Sequence, residues 1–405
     1  MARVLLLTQV LPYPLDSGAK IRAYYVLRHL AQQHEVTLVS FVRAEDHPEA
    51  VAHLSRYCRQ IECVPMKRSL WRTAWASLRA LLTGRSAVIV RDATPEMARR
   101  LRLLEGPFDI VHADQTSMAQ HALAAQQLLA QRGHRRPQTV LDAHNALYRI
   151  LEQTAADELH VLRRALVRRE ARAMRRYELG LVRAFDALVC VSPVDREALA
   201  APAAPVIPIC VDLDDRPLVP LAEQQDLILH LGTMFWPPNV RGVLWFAREV
   251  LPLVRERLPQ APLAIIGRRP PDEVQALSAI EGVEVLGYVE DPTPYLARTA
   301  AFVVPLDSGA GMRVKIVDAW GWGVPIVSTT LGAEGIDVRD GEDILIADDA
   351  PTFADAVVRL LSDASLRQSL RGAGRRAVAE RYDWHAVYRQ WDRVYGALLR
   401  RAAAE

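Results

Sequence analysis

The chain has 405 residues, half of them hydrophobic and 24% charged, the balance of a soluble globular protein. It is too long for one ordinary core, since a prior of roughly 150 residues per domain gives two or three. Its formal net charge of +2 hides a split: residues 1–200 hold 29 Lys and Arg against 20 Asp and Glu, and the remainder holds 21 against 28, which suggests two domains with different partners.

Apolar runs in chain order define the frame. RVLLLTQVL at the start is suited to a buried parallel strand, but it is too short for a signal peptide's apolar region and has no cleavage site after it. No apolar run reaches the ~20 residues that span a bilayer, so a cytoplasmic protein is expected, with room for peripheral contact at a membrane's inner face. A loop with Pro12, Pro14 and Gly18 leads into a helical pattern over 19–33, then the strand EVTLVSFV. Further strand-length runs are DIVHA (109–113), TVLDAH (139–144) and DALVCVS (186–192), with helical stretches between them. Four prolines in PAAPVIPICVDLDDRP (202–217) break the pattern and suggest a linker. The alternation restarts with DLILHLG (226–232), a helix near 240–258, APLAIIG (261–267), VEVLGYV (283–289), AAFVVPL (300–306) and VPIVST (324–329). Amphipathic helix over 352–381 and a last helical segment from Trp384 to Arg401 follow.

Alternating strands and helices indicate an α/β protein with parallel sheets covered on both faces. The expected division is a Rossmann-like doubly wound domain over 1–200, a linker over 201–218, a second such domain over 219–381, and a C-terminal segment over 382–405. Ligands of open parallel sheets bind beyond the carboxyl ends of the strands, so a cleft between the domains is the expected site. No repeat of 20–50 residues supports a solenoid. Four cysteines, Cys58, Cys63, Cys190 and Cys210, lack ligand spacing and read as free thiols.

The stretch SGAGMRVKIVDAW (308–320) follows a strand. Gly309 and Gly311 let the backbone approach a ligand, and a helix start offers unpaired N–H groups. Arg313 and Lys315 add charge suited to a diphosphate, and Asp318 could accept from a ribose diol. The same residues also read as an ordinary strand–loop–helix turn with a local Lys–Asp pair. The pattern matches neither GxxxxGK[ST] nor GxGxxG, which weakens kinase and dehydrogenase readings. Only three lysines occur, Lys20, Lys67 and Lys315, and two of them follow glycine loops. Lys20 and Arg22 lie in PYPLDSGAKIR (12–22), where Asp16 or Ser17 could instead cap a plain helix.

His112, Asp114 and His144 fall at predicted strand ends, where they could act as base, charge stabiliser or sugar contact, or simply be hydrogen-bonded surface residues. Asp212, Asp214 and Asp215 include a DxD that elsewhere can hold a metal; here it lies in the proline-rich linker and reads as solvated. Residues 161–183 carry eight arginines and two glutamates on a broken apolar stripe. That is a basic helix for an anionic lipid surface or one packed on its own sheet. No interleaved aromatics favour nucleic acid.

Together these segments resemble glycosyltransferase family 4, retaining enzymes of the GT-B fold. HLGTMFWPPNVRGVLWF (230–246), LAIIGRRPP (263–271), VEVLGYVED (283–291), VVPLDSGAGMRVKIVDAWGWGVPIVSTTLGAEGI (303–336) and AERYDW (379–384) carry it most strongly. VIPICVDLDD (206–215), VHADQ (111–115) and DAHN (142–145) add to it. The resemblance implies transfer of a sugar from a UDP-, GDP- or other nucleotide-sugar donor, without metal or other cofactor, to a glycan, lipid-linked or small-molecule acceptor.

It also implies site roles. Arg313 and Lys315 would hold the diphosphate, Asp318 the ribose, and Gly287, Tyr288 and Val289 the base. Gly309, Gly311, Met312, Gly18 and Lys20 would border the donor. His112 or Asp114 would meet the transferred sugar, and His144, Asn145, Trp236 and Asn239 would contact sugar or acceptor. The last helix would cross back to the first domain. Two positions depart from the family's paired glutamates: Ala310 stands at the first and the shorter Asp318 at the second. Trp320 and Trp322 replace small residues and either fill the core or shape the pocket. The rival expectations are a catalytically silent sugar-binding partner and an epimerase or hydrolase on the same fold. Arginine richness suggests a high-GC bacterial gene.

Overall fold

The computed structural model describes every residue except 44, 45, 47, 67, 68, 310 and 405, and leaves the side chains of residues 70 and 72 undescribed. Lys67 and Ala310 therefore lie outside the described residues. The chain divides into two compact units, residues 1–210 with 387–405, and residues 211–386.

The first unit is built on six parallel strands: β1 (Arg3–Thr8), β2 (Glu35–Val42), β3 (Gln60–Pro65), β4 (Ile110–Asp114), β5 (Gln138–Ala143) and β6 (Ala187–Cys190). Their order is β3-β2-β1-β4-β5-β6. The central strands are continuous apolar runs because helices cover both faces: Val4 through Leu7 are wholly buried, as are Ile110, Val111 and Val140. Edge strand β3 escapes a hydrophobicity reading because only Val64 within it is buried.

The second unit repeats this winding with β7 (Leu227–Leu231), β8 (Leu263–Ile266), β9 (Val283–Gly287), β10 (Thr299–Val304), β11 (Ile326–Ser328) and β12 (Leu345–Ile346). Its order, β12-β11-β10-β7-β8-β9, is the first sheet's order read from the other edge. Each sheet thus reverses its winding between its first and fourth strands, β1 and β4 in one and β7 and β10 in the other. The crevice at such a reversal is where doubly wound sheets bind ligands.

Boundaries differ from the sequence expectation for local reasons. Ile207 N–H donates to Cys190 carbonyl, and Val206 bridges the same residue, so the proline-rich stretch continues the first sheet's edge as far as Cys210. Val211 bridges Asp383 within the second unit, which keeps residues 382–386 there. The helical stretch 352–381 is two helices, Ala350–Ser362 and Ala364–Arg381, because Asp363 ends one and caps the next by accepting from Leu366 N–H. Trp320 fills the core: it is buried, its indole N–H donates to the Asp343 carbonyl at 2.8 Å, and it packs so close to Gly374 that a Cβ there would lie 2.3 Å away. Among the described residues all four cysteines are free; Cys190 and Cys210 are buried and Cys58 and Cys63 half-buried.

Candidate functional site

In the second unit the loop after β10 reaches the helix Val314–Trp322 through two glycines with φ of 112° and 84°, Gly309 and Gly311. A side chain would be strained at either. Arg313 stands at the N-cap of that helix, and its guanidinium lies 5.6 Å from the centre of the Trp236 ring. Lys315, two residues further in, is turned toward the end of β7. Its ammonium donates to Asn239 Oδ1 at 2.8 Å and sits 2.6 Å from where a Cβ on Gly232 would be. Asn239 is itself buried and fixed by donating to the Thr233 carbonyl at 2.9 Å. Lys315 thus lies at the winding reversal between β7 and β10.

Burial, and then the neighbouring Arg313 charge, lower the Lys315 ammonium to a pKa of about 7. Among the described residues no carboxylate pairs with it. Two cations held together at a helix start form a site for an anion with several oxygens. Asp318, one turn on, is drawn into an ion pair with Arg216 Nε at 3.1 Å; burial raises its pKa while Arg216 opposes that rise. The sequence offered no sign of Arg216, 102 residues away. Met312 is buried beneath the loop. At the end of β9, Gly287 takes φ 67°, Tyr288 is exposed, and the Arg268 guanidinium lies 4.4 Å from the Tyr288 ring centre. Trp236 and Asn239, expected to touch sugar or acceptor, are placed against Arg313 and Lys315 respectively.

The first unit gathers a second polar cluster at the carboxyl ends of β4 and β5. Asp142, wholly buried, receives Arg22 through Nε at 2.8 Å and Nη2 at 3.0 Å. His144 Nε2 lies 2.8 Å from Asp114 and 3.6 Å from Asp142. Burial opposes charge on His144, but Asp114 and Asp142 outweigh it and raise its pKa to about 9, so the ring is an imidazolium at neutral pH. Burial also opposes charge on Asp142, yet Arg22 holds it well below the usual carboxylate range. Asp114, Asp142 and His144 have the proximity of a metal-binding group. Their chemistry is less suited to one: Arg22 engages both oxygens of Asp142, and a metal would need His144 neutral.

His112 is not at a strand end. It sits in the middle of β4 beside Leu6, fully buried, with Nδ1 2.7 Å from the Tyr395 hydroxyl. Burial lowers its pKa to about 4, so it is a neutral core residue. The loop after β5, which carries His144 and Asn145, is pinned by carboxylates the sequence did not flag. Asp195 accepts from Ala146 N–H at 3.0 Å, and Glu178 from Leu147 and Tyr148 N–H, each at 3.0 Å. Gly18 opens the helix Gly18–Ala31 with Ser17 at its N-cap position but no side-chain cap bond. Lys20 pairs with Asp16 at 3.2 Å. Asp212 is buried and accepts from Asp214 N–H at 3.1 Å, so it is not solvated as the linker reading expected.

Comparison with known proteins places both halves. A family model described as Glycosyltransferase Family 4 matches residues 17–215, and one described as Glycosyl transferases group 1 matches residues 225–363. A Klebsiella pneumoniae protein described as an uncharacterized 44.6 kDa protein in the cps region is 22% identical over 96% of this chain and 98% of its own. A phosphatidyl-myo-inositol mannosyltransferase of Mycobacterium leprae is 34% identical, over 42% of this chain and 46% of its own length, so the match spans under half of that relative. Among solved structures, Anabaena HepE in complex with UDP and glucose aligns with a TM-score of 0.68 at 13% identity, covering 98% of this chain and 100% of that one. Sucrose-phosphate synthase from Thermosynechococcus elongatus aligns with a TM-score of 0.68 at 17% identity over 100% of both chains. Likeness at these identities speaks for the fold.

Proposed function

The chain belongs to glycosyltransferase family 4 and has the GT-B fold of two Rossmann-like domains, and on that footing we propose a retaining, metal-independent hexosyl- or related transferase. It moves a sugar from a nucleotide-sugar donor to a hydroxyl on a glycan, lipid-linked or small-molecule acceptor. The observation that carries this is Lys315: a buried ammonium beside Arg313 with no carboxylate partner among the described residues. A donor diphosphate supplies the missing negative charge. As the bond from the anomeric carbon to the diphosphate breaks, that charge grows, and a preorganised cation pair stabilises it most at that moment. Arg313 grips phosphate oxygens in a fork, Lys315 acts as a point charge oriented by Asn239, and Tyr288 beside Arg268 receives the base.

UDP with glucose in HepE, and the lipid named for the mycobacterial mannosyltransferase, support a nucleotide-sugar donor and an acceptor that can be lipid-borne. Within a retaining reaction, attack on the same face as the departing diphosphate is favoured over a covalent intermediate, because both carboxylates of the first unit's cluster are engaged, Asp142 by Arg22 and Asp114 by His144, leaving neither as an evident nucleophile. Metal independence is favoured by the same engagement. His144, held charged, serves as a hydrogen-bond donor to a sugar hydroxyl. On this reading Asp318 holds the ribose only in competition with Arg216.

Incubation with a panel of nucleotide sugars and acceptors tests this. Acceptor-stimulated release of nucleoside diphosphate is expected, unaffected by EDTA. Lys315→Ala should lower nucleoside diphosphate affinity on the order of 100-fold, the weight of a hydrogen-bonded charge. Epimerised sugar without diphosphate release, binding without turnover across the panel, or unchanged affinity in the variant would defeat the proposal.

A further inference from the structure

The helix Leu70–Thr83 is an amphipathic helix turned inside out. Trp71, Trp75, Leu78 and Leu82 recur at i, i+4, i+7 and i+11, so they share one face. An apolar stripe of that kind ordinarily faces a core. Here the buried residues among those described are Ala76 and Ala80, on the opposite side, while Trp71 is 85% exposed, Trp75 68% and Leu82 79%. Scattered exposed apolar residues are normal; a stripe carrying two tryptophans is not.

The face continues onto a neighbouring helix, Val161–Ala184. Arg169 of that helix donates to the carbonyls of Ala80 and Arg85, which fixes the two helices side by side. Leu162 and Leu166 precede Arg169 by seven and three residues, so they lie on its side of the helix, and they are 71% and 57% exposed.

Charge selects the occupant. Residues 67–86 contain five Lys and Arg and no Asp or Glu, and residues 159–169 contain four Arg and no acidic residue. Arg79 and Arg163 are exposed on the flanks of the stripe, and Arg85 is exposed just beyond the end of the first helix. A protein partner or a second copy of this chain would need acidic surface to match. An anionic bilayer supplies charge and apolar depth together, and tryptophan prefers its interface. We propose that this face docks the first unit on anionic phospholipid, with the tryptophan stripe inserted among acyl chains and the arginines on headgroups. The inference concerns where the protein works and stands apart from the transfer chemistry.

The test needs no donor. The full chain is floated with vesicles of phosphatidylcholine alone or mixed with phosphatidylglycerol, and its tryptophan fluorescence is followed with brominated acyl chains as quencher. Expected are binding and quenching on the mixed vesicles only, weakened by salt. The double substitution Trp71→Glu, Trp75→Glu should reduce binding on the order of tenfold or more with an unchanged melting temperature and unchanged nucleoside diphosphate affinity. Arg79→Glu with Arg85→Glu should also weaken it. No wild-type binding or quenching on the mixed vesicles, equal binding to phosphatidylcholine alone, or full binding by the tryptophan variant overturns the proposal. So does a dimer that the same substitutions dissociate without any vesicle binding.

Discussion

At the scale of single residues, Lys315 contributes a pH dependence to the second unit. Its ammonium falls from an ordinary 10.5 to about 7 because burial and Arg313 disfavour the charge. Between those values the unfolded chain holds a proton that the folded unit lacks, so this group makes the ligand-free protein more stable as pH rises through that window. Anion binding needs the charged form, so nucleoside diphosphate affinity should fall above pH 7, by up to about tenfold per unit. Calorimetric titration from pH 6 to 9 checks this against Lys315→Arg, whose guanidinium stays charged and whose profile should lack the fall. The placement of Lys315 at the loop after β10 was legible because a rare residue type followed a glycine pair. His112 was misread because a histidine in an apolar run looks like a strand end when its partner, Tyr395, lies 283 residues away.

At the scale of elements, the helix Gly18–Ala31 is held by its buried arginine rather than by its cap. Arg22 joins Asp142 at the end of β5, the Pro208 carbonyl at 2.6 Å and the Tyr388 hydroxyl at 3.1 Å, and its cation also lies 5.2 Å from the Trp391 ring. Arg22→Met should destabilise the first unit by about 3–5 kcal/mol, because it strands a buried carboxylate. Denaturant unfolding measures this. The contribution of Asp142 is fully present above its ordinary pKa of 3.8 and is lost as acid protonates it, so the wild-type advantage should shrink toward low pH. The sequence showed Arg22 as one more basic residue near a glycine loop. Only the pairing of β1 with β4 and β4 with β5 brings it to Asp142.

At the scale of the whole chain, the two units are unequally continuous. Residues 211–386 form one unbroken segment, whereas the first unit needs residues 387–405 to complete it. Tyr388, Trp391, Tyr395 and Leu398 are all buried there. A chain ending at residue 386 should therefore lose cooperative unfolding of its first unit and become protease-sensitive within residues 1–210. A 211–386 fragment should still fold and bind nucleoside diphosphate. Calorimetry and limited proteolysis of the two truncations distinguish these outcomes.

The sequence by itself determined the α/β class, the central strands, the glycine loop with its two cations and the family. These follow from local periodicity, from residue types that a tight turn or an anion requires, and from motif spacing. Tertiary structure decided what depends on distant partners: Arg216 on Asp318, Arg22 and His144 around two buried carboxylates, and the return of the last helix to the first unit. It also decided which way the tryptophan stripe faces. An amphipathic pattern fixes that a helix has two faces; which one meets the protein depends on what packs against it.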